Sequence, residues 1–301
     1  MTKPLCIYHA NCADGMTAAW AVMRALGHDR VDFFPGEYQR LPPPVYDRDV
    51  ILVDFSYKRH VLRDMTPLAK SILILDHHKS AQEELEGLPT APQCYAEWRA
   101  RLEEGDNPSV AALFDMNRSG AGITWDFFHP APLPRPALVD YVEDRDLWRF
   151  ALPESREINA AVGSYELSLH QMDMLHSILS GDISCGTRHE LVVGGRAILR
   201  KNARDLEQIL STTTRRMTIG GVQVEVANLP FSMTSDGANI LANRSIVGFA
   251  ASYADTEKGR VFSLRSVGGY DVSKIAEAYG GGGHAKAAGF TMPLGWEGDA
   301  A

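Results

Sequence analysis

The chain has 301 residues, 45% hydrophobic and 23% charged, enough apolar material to bury a core and enough length for two domains. A formal net charge of −8 argues against a long nucleic-acid track, which needs a surplus of Lys and Arg along one face. A small anionic substrate stays compatible with that charge, because a pocket needs only a few cations or metal ions.

The N-terminus, "MTKPLCIYHA", lacks an apolar signal core, and no apolar run is long enough to span a bilayer, so the chain is expected to be soluble and cytoplasmic. The four cysteines, Cys6, Cys12, Cys94 and Cys185, are scattered without paired spacing, the usage of reduced thiols rather than of a disulfide framework.

Three apolar runs dominate the first quarter: "LCIY" ending at His9, "VILV" ending at Asp54 and "ILIL" ending at Asp76. Unbroken aliphatic runs of this length are the pattern of strands covered on both faces. Between them, Ala19, Val22, Met23 and Leu26 fall at i, i+3, i+4 and i+7, and "HVLRDMTPLA" is a shorter helical stretch. Alternating buried strands and helices predict a parallel α/β sheet, in which ligands gather at the carboxyl ends of the strands. Each of these three strands ends in a His or an Asp.

Further along, "AEWRARLEEGDNP" reads as a charged surface helix and turn, "SVAALFD" as a strand and "SGAGITWDFF" as the opening of a helix. The proline-rich "PAPLPRP" precedes a helical "ALVDYVEDRDLW", and residues from about His189 to Leu210 read as a connecting helix. The last eighty-odd residues change character: "VQVEVANL", "SIVGFAASYA" and "RVFSLRS" read as strands, followed by a helix, "DVSKIAEAYG". The expected organisation is an α/β catalytic domain over residues 1–187, a connecting helix or linker over 188–216 and a smaller α/β domain over 217–301.

The chemistry concentrates in two places. In "DHH", Asp76 to His78, adjacent side chains at a strand end point in different directions, so one imidazole can bind a metal while its neighbour meets a substrate oxygen. A hydrogen-bonded turn with a surface histidine would explain the tripeptide alone. With His9, Asp14 and Asp54 at parallel strand ends, a metal site explains it better. Asp14 also suits the N-cap of a helix starting at Gly15, and Asp54, directly after four apolar residues, needs a buried partner that a metal or a helix N-terminus could supply. The second place is "GGGGHAKAAGF", Gly280 to Phe290, where consecutive exposed amides can form an anion nest to which His284 adds a donor. Arg265 in "LRS" offers a fork for phosphate or carboxylate, or a surface ion pair.

In combination and order, "HANCADG", "VDFS", "DHH", "VEDRDLWRF" and the terminal "RS…DVSKIA…GGGGHAKAAGF" resemble the DHH phosphoesterase superfamily, in its two-domain form with the DHH-associated C-terminal domain. The resemblance covers most of the chain. It implies a dimanganese site in the first domain, facing a substrate-binding second domain across a cleft. Members include nanoRNases that also remove the 3′-phosphate of pAp, cyclic-dinucleotide phosphodiesterases and single-strand exonucleases. It further implies His9 as a ligand of the first metal, Asp14 and His77 of the second, Asp54 as the bridge, His78 at the scissile phosphate and Asp76 in support. The fourth motif is open among Asp140, Asp144 and Asp146; Asp146 is favoured, four residues before Phe150, with Asp144 kept as a second candidate. Arg265, Ser266, Gly282, Gly283 and His284 correspond to the substrate-binding set.

Cys12 departs from the pattern, standing where the family carries an aspartate. Either its thiolate is a ligand, favouring Zn²⁺, Fe²⁺ or Co²⁺ over Mn²⁺, or the first metal is weak. The expected function is hydrolysis of very short oligonucleotides or nucleotide phosphates by metal-activated water. A cyclic mono- or dinucleotide phosphodiesterase and a non-catalytic nucleotide-binding protein are the alternatives, and a homodimer would be compatible.

Overall fold

The computed structural model describes residues 2–38, 40–105 and 109–299. The chain divides into two compact units, Met1–His78 with Glu84–Leu199, and Lys79–Glu83 with Arg200–Ala301. No helix among the described residues is long and apolar enough to cross a membrane.

In the first unit, strands β1 (Leu5–His9), β2 (Asp32–Gly36), β3 (Asp49–Val53), β4 (Ser71–Asp76) and β5 (Val110–Phe114) form one all-parallel sheet in the order β2-β1-β3-β4-β5. The apolar runs are unbroken because both faces are covered. Cys6, Ile51, Val53, Leu73 and Leu75 pack on one face, and Leu5, Ile7, Val50, Leu52, Ile72 and Ile74 on the other. The strand order reverses between β1 and β3, so the crevice at their carboxyl ends is the switch point where doubly wound sheets take ligands. Edge strand β2, "DFFPG", carries Pro35, a residue that sheets tolerate at their edges, and a sequence reading passes over it.

The helix Ala13–Leu26 differs from an amphipathic expectation. Every residue from Asp14 to Met23 is buried, because neighbouring helices enclose it as well as the sheet. Its N-cap is Cys12, with Asp14 inside the first turn. The stretch read as a connecting helix is a single 26-residue helix, Arg188–Thr213, running straight into β6.

In the second unit, β6 (Thr214–Ile219), β7 (Val222–Asn228), β8 (Phe249–Thr256), β9 (Gly259–Ser266), β10 (Gly282–His284) and β11 (Ala287–Met292) form a sheet in the order β10-β11-β9-β8-β7-β6. All its pairs are antiparallel except β7 with β8, which the helix Thr234–Arg244 connects. Gly220 and Gly221, with φ of +60° and +74°, make the two-residue turn of the β6–β7 hairpin.

Candidate metal centre

His9 is the last residue of β1, Asp54 follows β3, and Asp76 ends β4 with His77 and His78 directly after it. Their side chains converge because parallel strands end on the same side. His77 Nε2 lies 3.2 Å from Asp54 Oδ1, 3.5 Å from Asp146 Oδ2 and 3.8 Å from Asp14 Oδ2. His9 Nδ1 lies 3.5 Å from Asp54 Oδ2. Among the described residues the cluster includes the donor triads His9/Cys12/Asp54, Asp14/His77/Asp146 and Asp54/Asp76/His78, with the donor atoms of each within 4.8 Å of one another.

Two close backbone approaches build this cluster. A Cβ on Gly15 would stand 2.3 Å from the carbonyl oxygen of His9, so only glycine lets the helix start against the end of β1. A Cβ on Gly120 would stand 2.3 Å from Asp54 Cβ, so the helix Gly120–Phe128 can abut Asp54 only through a glycine. Asp54 itself has φ +54°, a left-handed conformation that costs a non-glycine residue about 1 kcal/mol and is retained where the surroundings over-determine it.

Asp14 does not cap its own helix. It accepts hydrogen bonds from the backbone N–H groups of Gly120 (2.6 Å) and Ala121 (3.0 Å) at the start of the other helix. Ser119 N–H donates to Glu143, and Gly122 N–H to Ser119 Oγ. That helix N-terminus is thereby fully engaged within the protein. Glu143 also accepts from Arg135, whose guanidinium binds Asp126 as well. A sequence reading misses this supporting network, and Tyr38 with it; the Tyr38 ring lies 5.4 Å from that of His9 and 4.9 Å from that of Phe55.

Asp76 holds the tripeptide in place. One of its oxygens accepts from His77 N–H, His78 N–H and His78 Nδ1, the last at 2.7 Å. This fixes the tautomer and the plane of the His78 ring.

Of the fourth-motif aspartates, Asp146 reaches the cluster. Asp144 does not: its carboxylate accepts from the N–H groups of Ala151 and Leu152, closing the turn after its helix. Asp140 faces Arg135 at 4.0 Å.

In the second unit the glycine run is not an anion nest. Gly280 and Gly281 donate to Glu277 and Ala276 as a helix C-terminus, Gly282–His284 is strand β10, and Gly283 N–H donates to Ser80 Oγ. A Cβ on Gly281 would stand 2.0 Å from the Gly289 oxygen, so close approach within the sheet explains the run. Arg265, Ala287 and His284 are direct cross-strand neighbours and share a sheet face, with only a methyl between the two long side chains. Ser266 points to the opposite face and is 3% exposed, which removes it from that set.

The electrostatics of the first cluster call for a cation. Burial pushes the Asp14 carboxyl well above the usual carboxylate range, with Asp54 and Asp146 adding to it, and burial pushes Asp146 up as well. Burial also opposes the charge on Asp54, yet His77 and His9 hold its carboxyl well below that range. Burial opposes the charge on His77 too, and Asp54 beside it with Asp146 and Asp14 brings it up to about 10. Among the described residues, both Asp54 oxygens and His9 Nδ1 are buried without a hydrogen-bond partner. Orphaned buried nitrogen and oxygen ligand atoms, crowded by carboxylates and with the Cys12 sulfur within 4.8 Å, fit divalent metal ions.

A pH dependence follows. His77, raised from 6.5 to about 10, contributes stability that is fully present below pH 6.5 and lost as pH rises to about 10. The raised Asp14 and Asp146 act in the same direction. Protein stripped by chelator should therefore melt at falling temperatures between pH 6.5 and 10. Added Mn²⁺ should restore stability by more at pH 8 than at pH 6, because fewer protons compete. Thermal melts across that range test this, and a metal-induced gain that shrinks with rising pH would contradict it.

Fold and site together define a two-domain α/β protein whose parallel sheet carries a His/Asp cluster able to hold metal ions. Residues 222–300 match the DHHA1 domain family. A DHH domain of a member of the s1p family of ribosomal proteins has the same fold, with a TM-score of 0.55 at 13% identity over 97% of this chain and 83% of that one. RecJ from Thermus thermophilus, in complex with Mn²⁺, matches at 16% identity and a TM-score of 0.49, over 96% of this chain and 49% of that one. In sequence the chain is 25% identical to an uncharacterized protein of Acanthamoeba polyphaga mimivirus, over 95% of its own length and 66% of that relative's. The C-terminal residues 222–300 are thus similar to the DHHA1 domain, and the chain has the fold of a DHH-domain protein.

Proposed function

We propose that this protein is a metal-dependent phosphohydrolase acting on very short oligonucleotides or on nucleotides with a terminal phosphate, such as pAp. The observation that carries this reading is the meeting of two donor triads at Asp54. His9, Cys12 and Asp54 would hold one divalent ion, Asp14, His77 and Asp146 the other, with Asp54 shared. Such ions supply Lewis acidity at a phosphate oxygen and a water acidic enough to deliver hydroxide near neutral pH.

The chain's own residues do the rest. Asp76 accepts from Nδ1 of His78 and favours the protonated ring, so as an imidazolium His78 can donate from Nε2 to a phosphate oxygen. Arg265 and His284, on one face of the second sheet, suit a phosphate or a sugar edge. The net charge of −8 supports short substrates over long strands.

A turnover panel of dinucleotides, pAp and cyclic dinucleotides, run with Mn²⁺ and with Co²⁺, tests the proposal. Hydrolysis of dinucleotides or pAp is expected to exceed that of cyclic dinucleotides. Tight nucleotide binding without hydrolysis of any of them would sink the enzyme reading.

A further inference from the structure

Cys12 occupies the N-cap of the Ala13–Leu26 helix but makes no side-chain cap hydrogen bond. Ser, Thr, Asp or Asn there would contribute about 1 kcal/mol, so capping does not explain the cysteine. Packing does not explain it either, since the residue is only partly buried at a turn and the strand core beside it is filled by Cys6 and Ile7. Its sulfur lies within 4.8 Å of donor atoms of both His9 and Asp54. The second observation is independent of the cysteine: Asp54 is 1% exposed, and neither of its oxygens has a hydrogen-bond partner among the described residues. Tetrahedral metal bonds of about 2.0–2.3 Å place donors round one ion about 3.3–3.8 Å apart, so donors that lie within 4.8 Å of one another need only close in by about 1 Å.

We infer that Cys12 is a thiolate ligand in the His9/Cys12/Asp54 half of the centre, which makes the two halves chemically unequal. The first half is a nitrogen, sulfur and oxygen site that selects Zn²⁺, Co²⁺ or Fe²⁺. The second, Asp14/His77/Asp146, has one nitrogen and two carboxylates and accepts Mn²⁺ or Mg²⁺. As the metal–sulfur bond forms, the thiol proton leaves to solvent, so loading the first half releases a proton. The inference rests on the metal-centre reading above and adds the identity of the ion.

Cobalt spectroscopy on the full chain tests it. Anaerobic Co²⁺ titration of stripped wild-type protein should give visible d–d bands together with a near-ultraviolet thiolate-to-cobalt charge-transfer band. Cys12→Ser supplies a good N-cap, so the stripped variant should fold and melt no lower than stripped wild type. It should lose the charge-transfer band and bind the first Co²⁺ at least as much weaker as the ~10–100-fold that losing a supporting partner costs a metal site. Cys12→Asp should also lose the band and lower the ratio of Zn²⁺ to Mn²⁺ affinity at least tenfold. Metal analysis after loading with equal Zn²⁺ and Mn²⁺ should find one of each in the wild type. Cobalt bound without the band, or a band that survives in Cys12→Ser, overturns the inference while leaving the metal centre standing. Failure to bind cobalt at all, with no d–d bands, overturns both.

Discussion

Asp54→Asn is expected, on the function proposed above, to lose metal-dependent hydrolysis by a factor on the order of 10³ or more, because the carboxylate proposed to be shared by both halves of the centre disappears. The amide has the carboxylate's shape, so the crevice between β1 and β3 keeps its form. What goes is the carboxylate that stands beside both His9 and His77. A second readout separates this from a folding defect. An ion at 100 times its Kd stabilises the folded state by about 2.7 kcal/mol, which for a unit of this size raises Tm by about 5–10 °C. Wild-type protein should show that rise on adding Mn²⁺, and Asp54→Asn should not. Activity within tenfold of wild type, or an undiminished thermal shift, would remove Asp54 from the centre.

Gly120→Ala should be among the most damaging methyl groups that can be added to the first unit. The new Cβ would stand 2.3 Å from Asp54 Cβ and 2.8 Å from Asp54 Cα, and backbone atoms cannot swing aside as a flexible side chain would. The helix must retreat, which loosens the bonds from Gly120 and Ala121 N–H to Asp14. Overpacking costs about 1–3 kcal/mol and a weakened charge-assisted hydrogen bond about 1.5–3, so a loss of about 3–5 kcal/mol is expected. Tm should then fall by about 10–15 °C, with metal affinity falling alongside as Asp14 shifts. Gly194→Ala is the control. It lies in the helix Arg188–Thr213 with nothing within 4 Å of its added Cβ, and should be neutral or stabilising by about 0.5–1 kcal/mol. Equal Tm for Gly120→Ala and wild type would refute the close approach.

Much of the first unit is legible in the sequence because its information is local. Buried parallel strands read as unbroken apolar runs, and their carboxyl ends necessarily share one edge, so His9, Asp54 and the DHH tripeptide fall together without any knowledge of loops. What is not legible depends on distant partners. Asp14 looks like a cap for its own helix, and only the fold brings Gly120 and Ala121 to it. The choice between Asp144 and Asp146 turns on where a helix ends and which amides the next turn leaves for Asp144 to accept. The helix Thr234–Arg244, "TSDGANILANR", has weak intrinsic propensity and forms because Ala238, Leu241 and Ala242 are buried. Ser266 is different: the two-residue period of a strand already separates it from Arg265, and applying that period would have set it aside.

The segment Lys79–Glu83, which follows the DHH tripeptide directly, belongs to the second unit. There Lys79 pairs with Asp271, Glu83 with Lys274, and Ser80 receives the Gly283 amide. The C-terminal unit is therefore not a contiguous piece of chain. A fragment beginning at residue 200 would lack five of its own residues, and ribosomal synthesis delivers those five well before the strands that receive them. The boundary between the two units in sequence is thus not a place where the gene can be cut, and recombination that exchanged the C-terminal part alone would leave three polar contacts to be rebuilt.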